Sequence, residues 1–173
     1  MENTTTFRQK LEEGQLIEAA VKSHLQRLLP GYTIKNVDQE QSSLEREEFC
    51  LVDVVVLKGD YPVRGIECKR SETKFRKCLE INGWDGDYNT PLNNTSLRKY
   101  KESQFPFYII NINQFCHKAF AANLDTMLHS RHDQGQRNPS GVIIYNMDSS
   151  TWMVYEDDFK LTDILSDIIK KEL

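Results

Sequence analysis

The chain has 173 residues, of which 39% are hydrophobic and 28% are charged, and its formal net charge is −4 at pH 7. This length fits a single domain over residues 1–173 with a substantial core, and no stretch approaches the ~20 apolar residues of a membrane span. The first residues lack the basic-then-apolar pattern of a signal peptide, so we expect an intracellular, cytoplasmic protein. The acidic balance excludes a strongly basic nucleic-acid-binding protein, although local patches matter more than the sum.

The first predicted element is an amphipathic helix from about Thr5 to Leu29. Its apolar stripe consists of Leu11, Gly14, Ile17, Val21, Leu25 and Leu28. Glu18 lies on or beside this stripe, which is an unusual place for an acid. It is either a boundary residue that reaches water or a side chain directed into a functional site. Gly14, one turn earlier, would allow the helix to approach a sheet closely.

A short strand from Tyr32 to Val37 and an acidic, polar loop precede a predicted hairpin that spans Phe49 to Arg70. The first hairpin strand is apolar except for Asp53. The second carries Glu67 and Lys69 on either side of a cysteine. Since strand side chains alternate between faces, Glu67 and Lys69 should project from the same side.

The register of this hairpin decides whether Asp53 meets Glu67. A three-residue loop over Gly59–Tyr61 would place Asp53 opposite Glu67, with Cβ atoms roughly 5 Å apart. A two-residue turn at Gly59 and Asp60 would instead pair Asp53 with Ile66 and send Glu67 to the other face.

An acid within so apolar a strand requires a physical reason, because a buried, unpaired carboxylate is costly and two close carboxylates repel. A divalent cation such as Mg²⁺ would remove both problems, since it takes oxygen ligands from one or two carboxylates together with water and phosphate. Lys69 would then position a water and stabilise phosphoryl charge. The alternative is a structural ion pair between Asp53 and Lys69.

Positive charge is concentrated after the hairpin, in a segment that we interpret as an insertion at about residues 71–104 over the site. Two basic clusters lie within or beside it: Arg70, Lys74, Arg76 and Lys77, and then Arg98, Lys99 and Lys101. Lys and Arg contacts with phosphates supply much of the affinity for nucleic acids. A charge run is, however, often only a solvated face.

The remaining pattern predicts a buried strand from Phe105 to Ile112, then a helix from about Asn113 to His129. The core candidates of that helix include Phe115, Ala119, Ala122 and Leu128. Two short strands, Val142–Tyr145 and Trp152–Tyr155, joined by a polar turn, and a helix from about Leu161 to Lys171 complete the prediction.

Asp53 on the first hairpin strand and Glu67-Cys68-Lys69 on the second resemble the signature of the PD-(D/E)xK nuclease superfamily. This superfamily includes restriction endonucleases and Holliday-junction resolvases. The signature is short, and Val52 stands where the family name places a proline. The resemblance implies an α/β fold with a restriction-endonuclease-like αβββαβ core, in which helices flank a mixed central sheet.

The resemblance also implies the roles of individual residues. Asp53 and Glu67 would bind Mg²⁺, for which Mn²⁺ would substitute, with the Cys68 backbone carbonyl as a further ligand. Lys69 would orient or activate the attacking water, and Glu18 would act as an additional ligand or position the water, as a first-helix glutamate does in several members.

The function that follows is metal-dependent endo- or exonucleolytic hydrolysis of DNA, of a structure-selective resolvase, phage or repair type, with RNA left open. A homodimer would suit symmetric cutting of two strands. The alternative is a binding module that keeps the fold and contacts nucleic acid or a partner without cleavage.

Overall fold

The structure is a computed structural model that describes residues 7–37, 52–71, 78–102, 105–133, 141–148 and 153–154. The predicted helix over residues 161–171, the loop before the hairpin and the basic residues Lys74, Arg76 and Lys77 lie outside the described residues. Within the described chain, no helix is both long enough and apolar enough to span a membrane.

Four α-helices and nine strands are described, with one 3-10 turn at Gly86–Tyr88. In chain order they are α1 (Phe7–Leu28), β1 (Thr33–Asn36), β2 (Val54–Lys58), β3 (Tyr61–Ser71), α2 (Cys78–Asn82), β4 (Asn89–Asn93), α3 (Asn94–Glu102), β5 (Phe107–Asn113), β6 (Lys118–Asn123), α4 (Leu124–Leu128), β7 (Arg131–Asp133), β8 (Val142–Asn146) and β9 (Met153–Val154).

The strands form a six-stranded sheet in the order β1-β2-β3-β5-β6-β9 and a three-stranded sheet in the order β4-β8-β7. In the larger sheet β3 and β5 are parallel, whereas the other neighbours are antiparallel. A parallel pair needs a crossover, and here the chain between β3 and β5 includes α2, β4 and α3. The predicted mixed sheet with helices is therefore confirmed at the level of an α/β fold.

Helix α1 covers one face of the larger sheet with the apolar stripe that the sequence predicts. Ile17, Val21 and Leu25 are 3%, 0% and 1% exposed and pack against residues of β2, β3, β5 and β6. Leu28, at the end of the predicted stripe, is instead 40% exposed. The expected close approach at Gly14 is wrong, because no atom lies within 4 Å of a Cβ built there.

The opposite face of the larger sheet is covered by α3, α4 and the smaller sheet. This core contains Leu97 and Tyr100 of α3, Leu92 of β4 and Ile143 of β8, packed on residues of β2, β5 and β6. The segment after β3 therefore supplies one wall of the core, and it brings α3 over the face of β3 that carries Glu67.

The helix predicted from Asn113 to His129 is wrong. Residues 114–117 form a turn, β6 pairs antiparallel with β5, and only Leu124–Leu128 is helical. The Asn113 side chain accepts a hydrogen bond from the Phe115 N–H (3.1 Å), which favours a turn over a helix at this point.

Burial on both faces of the sheet explains the apolar run of β6, and a short run of this kind does not distinguish strand from helix. The predicted core residues Ala119 and Ala122 are buried, and Leu128 packs against the core. Phe115 is 48% exposed, so it is not a core residue.

Two predicted strands near the C-terminal end fall into different sheets. Val142–Asn146 pairs with β4 and β7 in the smaller sheet, whereas Met153–Val154 pairs with β6 in the larger one. The two strands thus exist, but they are not partners of each other.

Candidate active site

The β2–β3 hairpin combines parts of both predicted registers. The turn contains two residues, Gly59 and Asp60, because Lys58 pairs with Tyr61, so the three-residue loop is wrong. Gly59 has φ +62°, as the first central residue of a type II′ turn requires. A β-bulge then leaves Val63 without a partner, since Leu57 pairs with Pro62 and Val56 with Arg64.

The bulge restores the register that brings Asp53 towards Glu67. Val54 pairs with Ile66, as the three-residue loop would have required, and the regular ladder ends there. Asp53 reaches β3 through two hydrogen bonds. Its N–H donates to the Ile66 carbonyl (3.1 Å), and its Oδ2 accepts from the Cys68 N–H (2.6 Å). The Asp53 carboxylate therefore lies against the backbone of β3 beside Glu67.

Glu67 and Lys69 lie on the same face of β3, as predicted, because the Lys69 ammonium forms an ion pair and hydrogen bond with Glu67 Oε1. Glu67 is 7% exposed. The structural ion pair considered from the sequence joined Lys69 to Asp53, and the structure shows the partner of Lys69 to be Glu67 instead.

The electrostatics show that these groups act on one another. Burial, followed by the negative charge of Glu67, raises the pKa of Asp53 to about 7, although the Cys68 N–H and the Lys69 ammonium oppose the rise. Burial disfavours the Lys69 ammonium, but the Glu67 carboxylate outweighs it, so the pKa of Lys69 is raised. Asp53 is thus a carboxyl group whose ionisation is unfavourable until a further positive charge approaches.

Glu18 approaches the same groups from the α1 side of the sheet. Its charge also raises the pKa of Asp53, but it ranks behind burial and Glu67 as a cause. Its neighbour Ile17 is buried against the sheet, which holds this turn of α1 near β3. Glu18 therefore acts on the Asp53 carboxyl, but less strongly than Glu67 does.

The arrangement fits a divalent cation in part. In an extended strand the N–H and C=O of one residue point to the same side, so the Cys68 carbonyl shares the side on which its N–H meets Asp53. Among the described residues, no three His, Cys, Asp or Glu side chains are grouped so as to hold a metal ion. Mg²⁺ needs only one or two carboxylates, with water and phosphate completing its shell, so the Asp53 and Glu67 pair fits this ion.

Tyr100 belongs to the site but was not predicted as a site residue. Its hydroxyl donates a hydrogen bond to the Glu67 carboxylate and accepts one from Ser96, and its side chain is 4% exposed. The signal in the sequence is an aromatic residue inside the basic cluster of residues 98–101.

Asn111 is a second residue beside the site that was not predicted from the sequence. It lies on β5 directly beside Lys69 of β3 and is 0% exposed. Its amide donates to Thr90 Oγ1 (2.6 Å), while its Oδ1 has no hydrogen-bond partner in the described part of the chain. A polar residue in an otherwise apolar strand is the same signal that singled out Asp53.

The predicted nucleic-acid-binding residues are placed unequally. Arg70 pairs with Glu13 and donates to Gln114 Oε1 (2.6 Å), so its guanidinium is engaged within the protein. Arg98 and Lys101 are exposed on α3, the helix that carries Tyr100. The side chain of Lys99 is outside the described part of the structure, as are the remaining predicted residues of the first cluster.

No protein-family model matches the chain. No curated protein matches its sequence either.

Proposed function

We propose that this chain is a Mg²⁺-dependent nuclease that hydrolyses phosphodiester bonds of DNA. The observation that carries the proposal is the meeting of Asp53, Glu67 and Lys69 at one point of the β2–β3 hairpin. The pKa of Asp53 is raised to about 7, which means that its negative charge lacks compensation within the protein. A cation that approaches the two carboxylates would supply this compensation.

The order of elements supports the same proposal. Helix α1, strands β1 to β3, helix α3 and strand β5 follow one another as α-β-β-β-α-β, with additional elements between, and β5 is parallel to β3. The resemblance to the PD-(D/E)xK superfamily implies this αβββαβ order. The second helix in this order is α3, which precedes β5, and not the helix that the sequence predicted after β5.

The residues would divide the chemistry between them. Asp53 and Glu67 would hold the ion, with the Cys68 carbonyl as a further ligand and Glu18, from α1, as an additional ligand or a residue that positions the water. When bound, the ion would lower the pKa of a water and stabilise charge on the phosphoryl oxygens. Lys69 leaves Glu67 and donates to the attacking water or to a phosphate oxygen. Water would attack phosphorus as one P–O ester bond breaks. The attacking water gives up a proton to solvent, and the departing oxygen takes one from solvent.

Exposed positive charge on α3 would bind the phosphates of a nucleic-acid substrate. Arg98 and Lys101 are exposed on the helix whose Tyr100 contacts Glu67. The same tyrosine, with Lys101, Phe105 and Tyr108, lines an open cleft of about 440 Å³. Cations bind phosphates and aromatic faces stack on bases, so this side of the site suits a nucleic-acid strand.

The second candidate is a binding module that keeps the fold without cleavage. The ion pair between Lys69 and Glu67 favours it, because each group already has a partner within the protein. In that case the pair would stabilise the fold and take no part in turnover.

The test is cleavage of linear duplex, single-stranded and four-way-junction DNA with Mg²⁺, with Mn²⁺ or with chelator. The variants are Asp53→Asn, Glu67→Gln and Lys69→Ala, and the control is Asp87→Asn. The control removes a carboxylate that pairs instead with Lys118 (3.3 Å). We expect metal-dependent cleavage by the wild type and the control, and a loss of at least roughly 100-fold in the three site variants.

Cleavage that persists in the folded site variants would contradict the proposal. The absence of cleavage on every substrate, together with DNA binding that needs no metal, would favour the binding module. A panel that includes RNA also decides which nucleic acid is the substrate.

A further inference from the structure

Tyr100 occupies an unusual position for a residue in a basic segment. Its ring lies in the core between the larger sheet and α3, and its centroid is 5.1 Å from that of Phe107. Its hydroxyl is nevertheless not in an apolar setting, because it donates to the Glu67 carboxylate and accepts from Ser96. Ser96 lies four residues earlier on α3, on the same face of the helix.

Glu67 therefore has two donors that come from different parts of the fold. Lys69 reaches it from the same strand, and Tyr100 reaches it from the helix that packs over that strand. The ammonium of lysine sits on a flexible stem, whereas the phenol is held by its buried ring and by Ser96. Of the two donors, Tyr100 is therefore the less mobile.

We propose that Tyr100 is a positioning residue, which holds the Glu67 carboxylate in the orientation that binds the metal ion. Ser96 acts behind it by fixing the direction of the phenol. This inference rests on the proposed function, because it assumes that Glu67 is a metal ligand. Its consequence is that α3 completes the site, and does more than cover the sheet.

The hydrogen bond from Tyr100 matters because it orders Glu67 before the ion binds. A ligand side chain that must be ordered on binding lowers the affinity for the ion. When Lys69 moves from Glu67 to the water, Tyr100 remains as the hydrogen bond that keeps Glu67 in place. Removal of the hydroxyl should therefore weaken metal binding while the buried ring still fills the core.

The test measures Mn²⁺ affinity by calorimetry for the wild type, Tyr100→Phe and Ser96→Ala. The matched control is Tyr145→Phe. Tyr145 is a buried tyrosine of the same core, 2% exposed, and its burial raises the pKa of its hydroxyl. We expect an affinity loss of roughly 10-fold or more for Tyr100→Phe and a smaller loss for Ser96→Ala. Tyr145→Phe should bind as the wild type does.

Wild-type affinity in a folded Tyr100→Phe protein would overturn the positioning role and leave the nuclease proposal standing on its cleavage assay. If Tyr100→Phe does not fold, Ser96→Ala decides between weakened and unchanged binding in the same way. A wild-type protein that binds no Mn²⁺ and cleaves nothing would overturn both proposals.

Discussion

Burial and the negative charge of Glu67 disfavour the ionised form of Asp53, so the stability of the metal-free protein depends on pH. The pKa of Asp53 rises from 3.8 to about 7 on folding, so the folded protein binds the proton more tightly than the unfolded chain does. The stability that protonated Asp53 contributes is complete below about pH 4 and is lost as the pH rises through 7.

We therefore predict that Asp53→Asn stabilises the metal-free protein at alkaline pH, although it removes a site residue. The gain should be about 1–3 kcal/mol near pH 8, less than the full shift implies because Asp53 is only partly buried, and it should vanish near pH 4. Urea unfolding in chelator at both pH values measures it. Asp60→Asn, at an exposed carboxylate in the same hairpin, serves as the control and should show no such pH dependence. A loss of stability in Asp53→Asn near pH 8 would mean that the carboxylate is structural.

At the scale of single elements, glycines in α1 and β3 have opposite surroundings. Nothing lies within 4 Å of a Cβ placed on Gly14, in the interior of α1. A Cβ on Gly65 of β3 would lie 2.7 Å from Val52 Cγ1 and 2.8 Å from Phe105 Cε2. The strand needs its glycine because a side chain there would displace packed neighbours two residues from Glu67.

The two glycines give a paired prediction. Gly14→Ala should stabilise the protein by about 0.5–1 kcal/mol, since alanine favours a helix interior. Gly65→Ala should destabilise it by about 1–3 kcal/mol through overpacking. Thermal unfolding of the two variants beside the wild type measures both effects. A destabilised Gly14→Ala protein would revive the close approach of α1 that the structure contradicts.

The hairpin shows how far local sequence carries the prediction of a site. The apolar strand with a lone Asp53 and the alternation of Glu67 and Lys69 were sufficient to predict the shared face. The turn is the two-residue alternative, and the register nevertheless brings Asp53 to β3 because of the bulge at Val63. A bulge depends on how the two strands twist and pack, so no pattern in either strand specifies it.

The elements after β5 were harder to predict for a similar reason. The short apolar run at residues 119–122 suits a helix or a strand, and its burial between β5 and β9 determines which one forms. The contribution of Tyr100 depends on α3 folding back over β3, a contact between residues 33 positions apart. Long-range packing, not local propensity, places these residues.

At the scale of the whole molecule, the site lies where several parts of the chain meet. Asp53 directly precedes β2, and β3 carries Glu67 and Lys69. Helix α1 brings Glu18 from one face, and α3 brings Tyr100 from the other. The net charge of −4 does not describe this region, because Arg98 and Lys101 are exposed on α3. Local charge determines how a polyanion would approach.

The central claim is that Asp53 and Glu67 form a metal site, and the most direct test is to locate the ion. Crystals soaked in Mn²⁺ can be measured at a wavelength where manganese scatters anomalously. The account predicts a peak within bonding distance of the Asp53 and Glu67 carboxylates and the Cys68 carbonyl, with Lys69 moved away from Glu67. A peak elsewhere, or none while Lys69 remains on Glu67, would contradict it.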